Sequence, residues 1–166
     1  MAATVQISEY NGAGETKTAS ITTSAYGSTD AANLTASSYP ISVGTNSYEK
    51  WQKIEVTAMG GSTAVSALKV WYTGTLSGSD ALLTNARTSS YGGAETYATP
   101  TASTSTVATQ TMPNSAPATN LGIAGSLSGS LTSAGSSDYF VSQLQVDGAT
   151  VSGASLTLNY RYSEVA

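Results

Sequence analysis

No cysteine and no histidine occur anywhere in the 166 residues. Without thiols there is no disulfide framework and no thiolate metal site, so the fold must rest on burial and hydrogen bonding. Without imidazole the chain lacks the side chain that most often moves protons near neutral pH. A serine nucleophile here would need a lysine, a terminal amine or a carboxylate as its base. Charge is scarce as well. Six Lys and Arg stand against ten Asp and Glu, 10% of the chain in all, where an independently soluble surface usually carries about 25–35%. With a net charge of −4 and no basic stripe to neutralise phosphates, nucleic acid is not an expected partner. No stretch approaches the ~18 consecutive apolar residues that span a bilayer, so no membrane partner is expected. Residues 1–6 lack the basic start and apolar run of a signal peptide, which points to synthesis in a cytoplasm.

What is present is a body of Ser, Thr, Ala and Gly crossed by aromatic-rich segments. The length fits one domain of about 100–200 residues, able to bury roughly 70% of its unfolded surface. The period-2 patterning predicts an all-β fold, an antiparallel β-sandwich of jelly-roll type with long Ser/Thr/Ala/Gly-rich loops. Residues 4–10 alternate Val5 and Ile7 with Gln6 and Ser8, and the Asn11-Gly12-Ala13-Gly14 break invites a hairpin with residues 17–23. Residues 1–23 are therefore read as an amino-terminal arm or hairpin. Tyr39-Pro40 forces extended backbone and suggests a short strand over 39–43. Residues 48–56 carry apolar side chains in both parities, which calls for cover on both faces or a bulge. Residues 65–72 are apolar on both faces except Lys69 and read as a strand in the middle of the sandwich. Residues 82–87 are read as a helical turn or an inward-tucked loop. Residues 139–146 and 155–163, joined by the Asp147-Gly148 turn signal, read as an antiparallel hairpin.

The expected core is Trp51, Ile54, Leu68, Val70, Trp71, Phe140, Leu144, Leu158 and Tyr160. Residues 96–137 carry no charge and hold three of the four prolines. They read as an uncharged extended loop region within the single domain.

Candidate chemistry is sparse. Ser62 and Ser79 lack a Ser-x-x-Lys or Gly-x-Ser-x-Gly context. Glu49 with Glu55, or Asp138 with Glu164, offer paired acids, but opposite charges across strands explain them as simply. The acids are too scattered for a calcium loop. Asn33-Leu34-Thr35 matches a glycosylation sequon without a secretion signal. No catalytic residue, cofactor site or metal site is assigned. The strand aromatics are read as core and cross-strand pairs, with a carbohydrate platform as the rival reading. Tyr26, Tyr91 and Tyr97 lie in polar loops, where Tyr serves as an interface anchor.

Five segments together carry a resemblance. They are Ser47-Tyr48-Glu49-Lys50-Trp51-Gln52-Lys53-Ile54, Leu68-Lys69-Val70-Trp71-Tyr72, Glu95-Thr96-Tyr97-Ala98-Thr99-Pro100-Thr101, Ser137-Asp138-Tyr139-Phe140-Val141-Ser142-Gln143-Leu144-Gln145-Val146 and Leu158-Asn159-Tyr160-Arg161-Tyr162-Ser163-Glu164-Val165. From Ser47 onward the chain resembles small structural proteins of tailed-bacteriophage virions. It departs from them at Glu55-Val56-Thr57-Ala58-Met59, where members often carry a phenylalanine-glycine strand. The resemblance implies a non-enzymatic capsid decoration or cement protein on the capsid exterior, partnered by the major capsid protein and by itself as a homotrimer. A tail or baseplate part, or a carbohydrate- or receptor-binding module, is the alternative. On this reading Val5, Ile7 and Tyr10 dock by strand addition, and Leu121 and Ile123 lie in a segment that wraps a neighbour.

Overall fold

The computed structural model describes residues 1–86, 104, 110–148 and 155–166. Tyr91, Tyr97 and most of the uncharged segment before residue 110 lie outside the described residues. The described chain is almost all β, with two antiparallel sheets packed together as a sandwich.

Strand β1 (Thr4–Asn11) turns at Gly12, whose φ of 67° suits glycine, and closes through the Glu15 amide on the Gly12 carbonyl at 2.9 Å. Strand β2 (Thr16–Thr18) pairs back on β1. The expected hairpin forms, but its regular second strand is shorter than predicted: Ser20 takes a φ of 54°, and beyond it the Ile21 amide still bonds the Ile7 carbonyl of β1 at 2.9 Å. Strand β3 (Lys50–Ala58) runs antiparallel to β1, with Ile54 opposite Ile7 and Val56 opposite Val5. The turn after β3 needs Gly60. Its φ is 60°, and a Cβ there would lie 2.4 Å from the carbonyl oxygens of Met1 and Ala2, so the amino terminus is tucked against this turn.

Strand β4 (Ala64–Thr73) starts the second sheet. Strand β5 (Ala81–Ala86) returns to the first and pairs along its whole length with β9 (Phe140–Gln145). Between them in the chain come the short strands β6 (Gln110–Thr111), β7 (Ser130–Leu131) and β8 (Gly135–Ser136), and the last strand is β10 (Thr157–Val165). The first sheet has the order β2-β1-β3-β9-β5-β6 with β8 also beside β3, and the second has the order β10-β4-β7.

Several expectations need correction. Residues 82–86 form most of strand β5 rather than a helical turn, because Leu82, Thr84 and Ala86 face one side and are all buried against β9, and Arg87 lies outside the described residues. Residues 39–43 form no strand; a 3-10 turn at Ala36–Ser38 precedes them, and residues 44–47 instead run beside the end of β9. Strand β10 pairs with β4, not with β9. Strand β4 is not apolar on two regular faces either. Its register on β10 shifts between Lys69 opposite Arg161 and Ser66 opposite Ser163, with Ala67 at a φ of 54°. This bulge adds one residue to β4, so Val65 and Leu68 both point inward and both are fully buried.

The core between the sheets joins Ile54, Val56, Ala86 and Phe140 from the first sheet to Val65, Leu68 and Val70 from the second. Leu121 and Ile123 belong to it as well, so the structure seats them inside the chain's own core rather than on an outer face. The Leu121 amide bonds the Leu68 carbonyl, the Tyr72 amide bonds the Pro113 carbonyl, and Lys69 Nζ donates to the carbonyls of Pro117 and Ala118. Residues 113–121 thus finish the β4 edge where β7 stops. Of the other expected core residues, Leu158 packs at the margin, Trp71 and Leu144 are half-buried, and Tyr160 is exposed.

Phe140→Ala removes the largest apolar side chain of this core. It is expected to lower unfolding free energy by about 3–5 kcal/mol in urea titration, against a smaller loss for the half-buried Trp71→Ala.

Candidate functional site

Two polar clusters lie on opposite faces of the first sheet. The inner one follows from register: Glu9 pairs with Gln52, and Lys50 shares their face with Ile54 and Val56. Lys50 Nζ lies 2.9 Å from Glu9 Oε1, with side-chain exposures of 1% and 0%. Glu9 also accepts from Gln52 Nε2 at 3.2 Å, Ser24 Oγ at 2.9 Å and Asn11 Nδ2 at 3.4 Å. Lys50 donates further to the Ala31 carbonyl at 2.6 Å. Nearby, the hydroxyls of Tyr26 and Ser142 are 2.7 Å apart. Burial of the Tyr26 hydroxyl pushes its pKa up, against the opposing hydrogen bond to Ser142. This cluster fastens residues 24–31 over the sheet.

Beside it is an open surface hollow of about 420 Å³, lined by the β1–β2 turn and residues 30–33. Asp30 sits in its wall and is held by Asn11 Nδ2 and the Gly12 amide, each at 2.7 Å.

The outer cluster gathers Tyr10, Trp51 and Tyr139, whose rings meet edge to face at 5.2 and 5.5 Å. Lys53 Nζ lies 3.9 Å from the centre of the Tyr139 ring and 5.2 Å from that of Tyr10. Glu55 accepts from Ser8 Oγ at 2.5 Å, Tyr10 Oη at 2.7 Å and Gln6 Nε2 at 3.0 Å, and pairs with Lys17 at 2.8 Å. Burial alone would raise its carboxyl, but Lys17, Ser8, Gln6 and Tyr10 outweigh that and bring the pKa down to about 2. Burial, then the hydrogen bonds to Glu55 and Glu15 respectively, push the phenols of Tyr10 and Tyr139 well above their ordinary value. Near neutral pH Glu55 is thus held ionised and the two phenols are held protonated.

The other candidate acids are held apart in function. Asp138 accepts from the Gly125 amide at 2.8 Å, while Glu164 accepts from the Ala3 amide at 3.1 Å and Ser62 Oγ at 2.5 Å. Those two donors, Ser62 first, lower the Glu164 pKa. Among the described residues no three metal-ligating side chains gather.

The expected interface residues scatter. Ile7 is buried and Val5 packs on the core, so β1 is built into the first sheet and is not a free arm. Tyr10 is half-buried in the outer cluster, and Tyr26 is half-buried over the inner one. Trp51 and Tyr139 are covered, which removes them as a stacking platform; the exposed large aromatics among the described residues are Tyr39 and Tyr160. Read from sequence, Glu49 and Glu55 face opposite charges across strands, and a buried Lys50–Glu9 pair is not among the expectations. The available signal was parity, since Lys50 falls in step with Ile54 and Val56 while Lys53 does not.

Comparison with protein-family models, with curated proteins and with solved structures finds no match.

Two outcomes test this account. Lys50→Ala is expected to cost about 3–5 kcal/mol by leaving Glu9 buried and unpaired, whereas Lys50→Met with Glu9→Gln costs less; urea titration of the three proteins checks the order. Glu55 has a folded pKa of about 2 against an ordinary 4.5, so its contribution is complete above about pH 4.5 and is lost as pH falls toward 2. The wild-type Tm should drop across that window, and Glu55→Gln should start lower and drop less.

Proposed function

We propose that this protein is a non-enzymatic structural component of a virion, a decoration or cement protein that binds the capsid exterior and bridges neighbouring capsomers. The observation that carries this reading is the direction in which the charges point. Glu9, Glu49, Lys50, Glu55 and Lys69 are buried in the chain's own structure. Lys53 lies over tyrosine rings, and Asp30, Asp138 and Glu164 accept backbone amides. Arg161 is exposed and has no hydrogen bond, ion pair or ring contact among the described residues. Among the described charges Glu15, Lys17, Arg161 and Glu164 are the exposed ones, so a chain already poor in charge keeps few for solvent and presents mainly hydroxyls and methyls.

Such a surface suits docking. Few charges need desolvation when it meets a neighbour, and interface cores are depleted in charged residues for that reason. The major capsid protein is the proposed partner, with further copies of this chain beside it, and the protein is made in the host cytoplasm before joining the shell. The mechanism is linkage: a protein that binds the assembled shell and not its loose subunits stabilises the shell by mass action.

Cryo-microscopy of particles with and without this protein tests the reading. The expected result is ordered density on the shell exterior that disappears with the gene, together with earlier genome release on heating. Density confined to the tail, with a head equally resistant to heat, would overturn it.

A further inference from the structure

The second sheet ends on its longest exposed element. Strand β10 spans nine residues and, among the described residues, pairs on one side alone, with β4. The bulge in this pair belongs to β4, so β10 runs without interruption. It contains no proline. Its one acid, Glu164, is committed to Ala3 and Ser62. Proline and bulges, two usual means of blunting an edge, are absent along residues 157–163, and Arg161 is the one charge there.

Tyr160 adds a second observation. It stands opposite Val70 in the ladder and so shares the face of Val70. Val70 is 0% exposed, yet Tyr160 is 39% exposed. The cover over the core stops between the two strands, and an aromatic ring overhangs the open edge.

We infer that β10 pairs antiparallel with β10 of a second copy, about a two-fold axis through Asn159, joining two three-stranded sheets into one. The inference rests on the reading that this chain works in an assembly, and it names a surface through which copies meet. The register follows from faces and charge. Residues directly opposite must share a face, so the axis passes through a residue rather than between two. An axis through Arg161 would set two guanidinium groups opposite each other. An axis through Tyr160 would set Glu164 against Leu156 of the second copy. Through Asn159, Tyr160 meets Leu158 and Tyr162 meets Leu156, while Arg161 meets the uncharged Thr157. Aromatic and aliphatic side chains match on one face, and no like charges face each other.

One strand pair with its flanking side chains falls below the ~1,200 Å² typical of stable interfaces, so the free protein should pair with a dissociation constant on the order of tens of micromolar. Copies held side by side on a shell pair more completely. The two-fold contact differs from the three-fold one implied by the virion resemblance.

The absence of native cysteine makes the test direct. Full-length Asn159→Cys, oxidised at about 100 μM, should form a disulfide-linked dimer, and Thr16→Cys on the β2 edge should not. Sedimentation velocity of the unmodified protein should show a reversible monomer–dimer equilibrium that Tyr160→Lys weakens by about tenfold or more. A monomer at every concentration, with no cross-link at residue 159 beyond that at residue 16, overturns the inference. So does a dimer indifferent to Tyr160→Lys. Because these measurements use free protein, a dimer cross-linked at residue 159 supports the pairing even where particle imaging finds no density on a shell.

Discussion

A lysine and a glutamate taken wholly out of water hold this structure in its form. The first sheet offers two kinds of inner surface. Along Val5, Ile7, Ile54 and Val56 it is apolar, and the second sheet covers it. Toward Glu9, Lys50, Gln52 and Ser142 it is polar, and residues 24–31 reach over it. Those residues have little apolar surface to bury, so hydrogen bonds must order them. The Glu9–Lys50 pair supplies the anchor, and Ser24, Asn11, Gln52 and the Ala31 carbonyl satisfy its remaining capacity. Desolvating two charges costs several kcal/mol each, which good geometry and these extra partners offset. The pair contributes specificity of arrangement: a long polar connection finds one place to lie.

Alternation and turn chemistry made the fold class legible. Strands β1 and β10 show one apolar and one polar parity, and the Gly12 turn announces the first hairpin. The missed elements share a physical reason. Residues 81–86 contain Leu82 and Leu83 side by side, and a short apolar run gives no period that separates strand from helical turn. The β10 pattern tells which face is dry but not which strand lies alongside. Asp147-Gly148 looked like a hairpin turn, yet the Asp147 carboxylate bonds the Ser79 amide and its own amide bonds Asp80, which ties this stretch to the β4–β5 connection instead. The bulge at Ala67 has no signature, because alanine rather than glycine takes the positive φ.

The polar clusters were legible only as residue types. Tyr48-Glu49-Lys50-Trp51-Gln52-Lys53 looks like a charged surface strand, and half of that is true. Alternation sends Lys50 inward to Glu9 and Lys53 outward onto Tyr139. Parity with Ile54 and Val56 separates the two lysines, but it does not name their partners, which lie on β1 and just before β9. The partners are set by tertiary register, which a single chain's pattern does not display.

One mismatch of sheet widths accounts for both the internal polar network and the open edge. A three-stranded sheet cannot cover a wider one, so loops must complete the cover, and loops without apolar bulk need buried charge to fix them. The same narrowness leaves β10, among the described residues, paired with β4 alone and Tyr160 beyond the margin of the core. Acids and lysines used inside are not available to decorate the outside, so the surface grows more neutral as the interior becomes more ordered. A protein built this way carries its electrostatics as internal fastening. In the assembly proposed above, its exterior would meet neighbours at little desolvation cost, with the backbone of the β10 edge supplying the direction that surface charge would otherwise give.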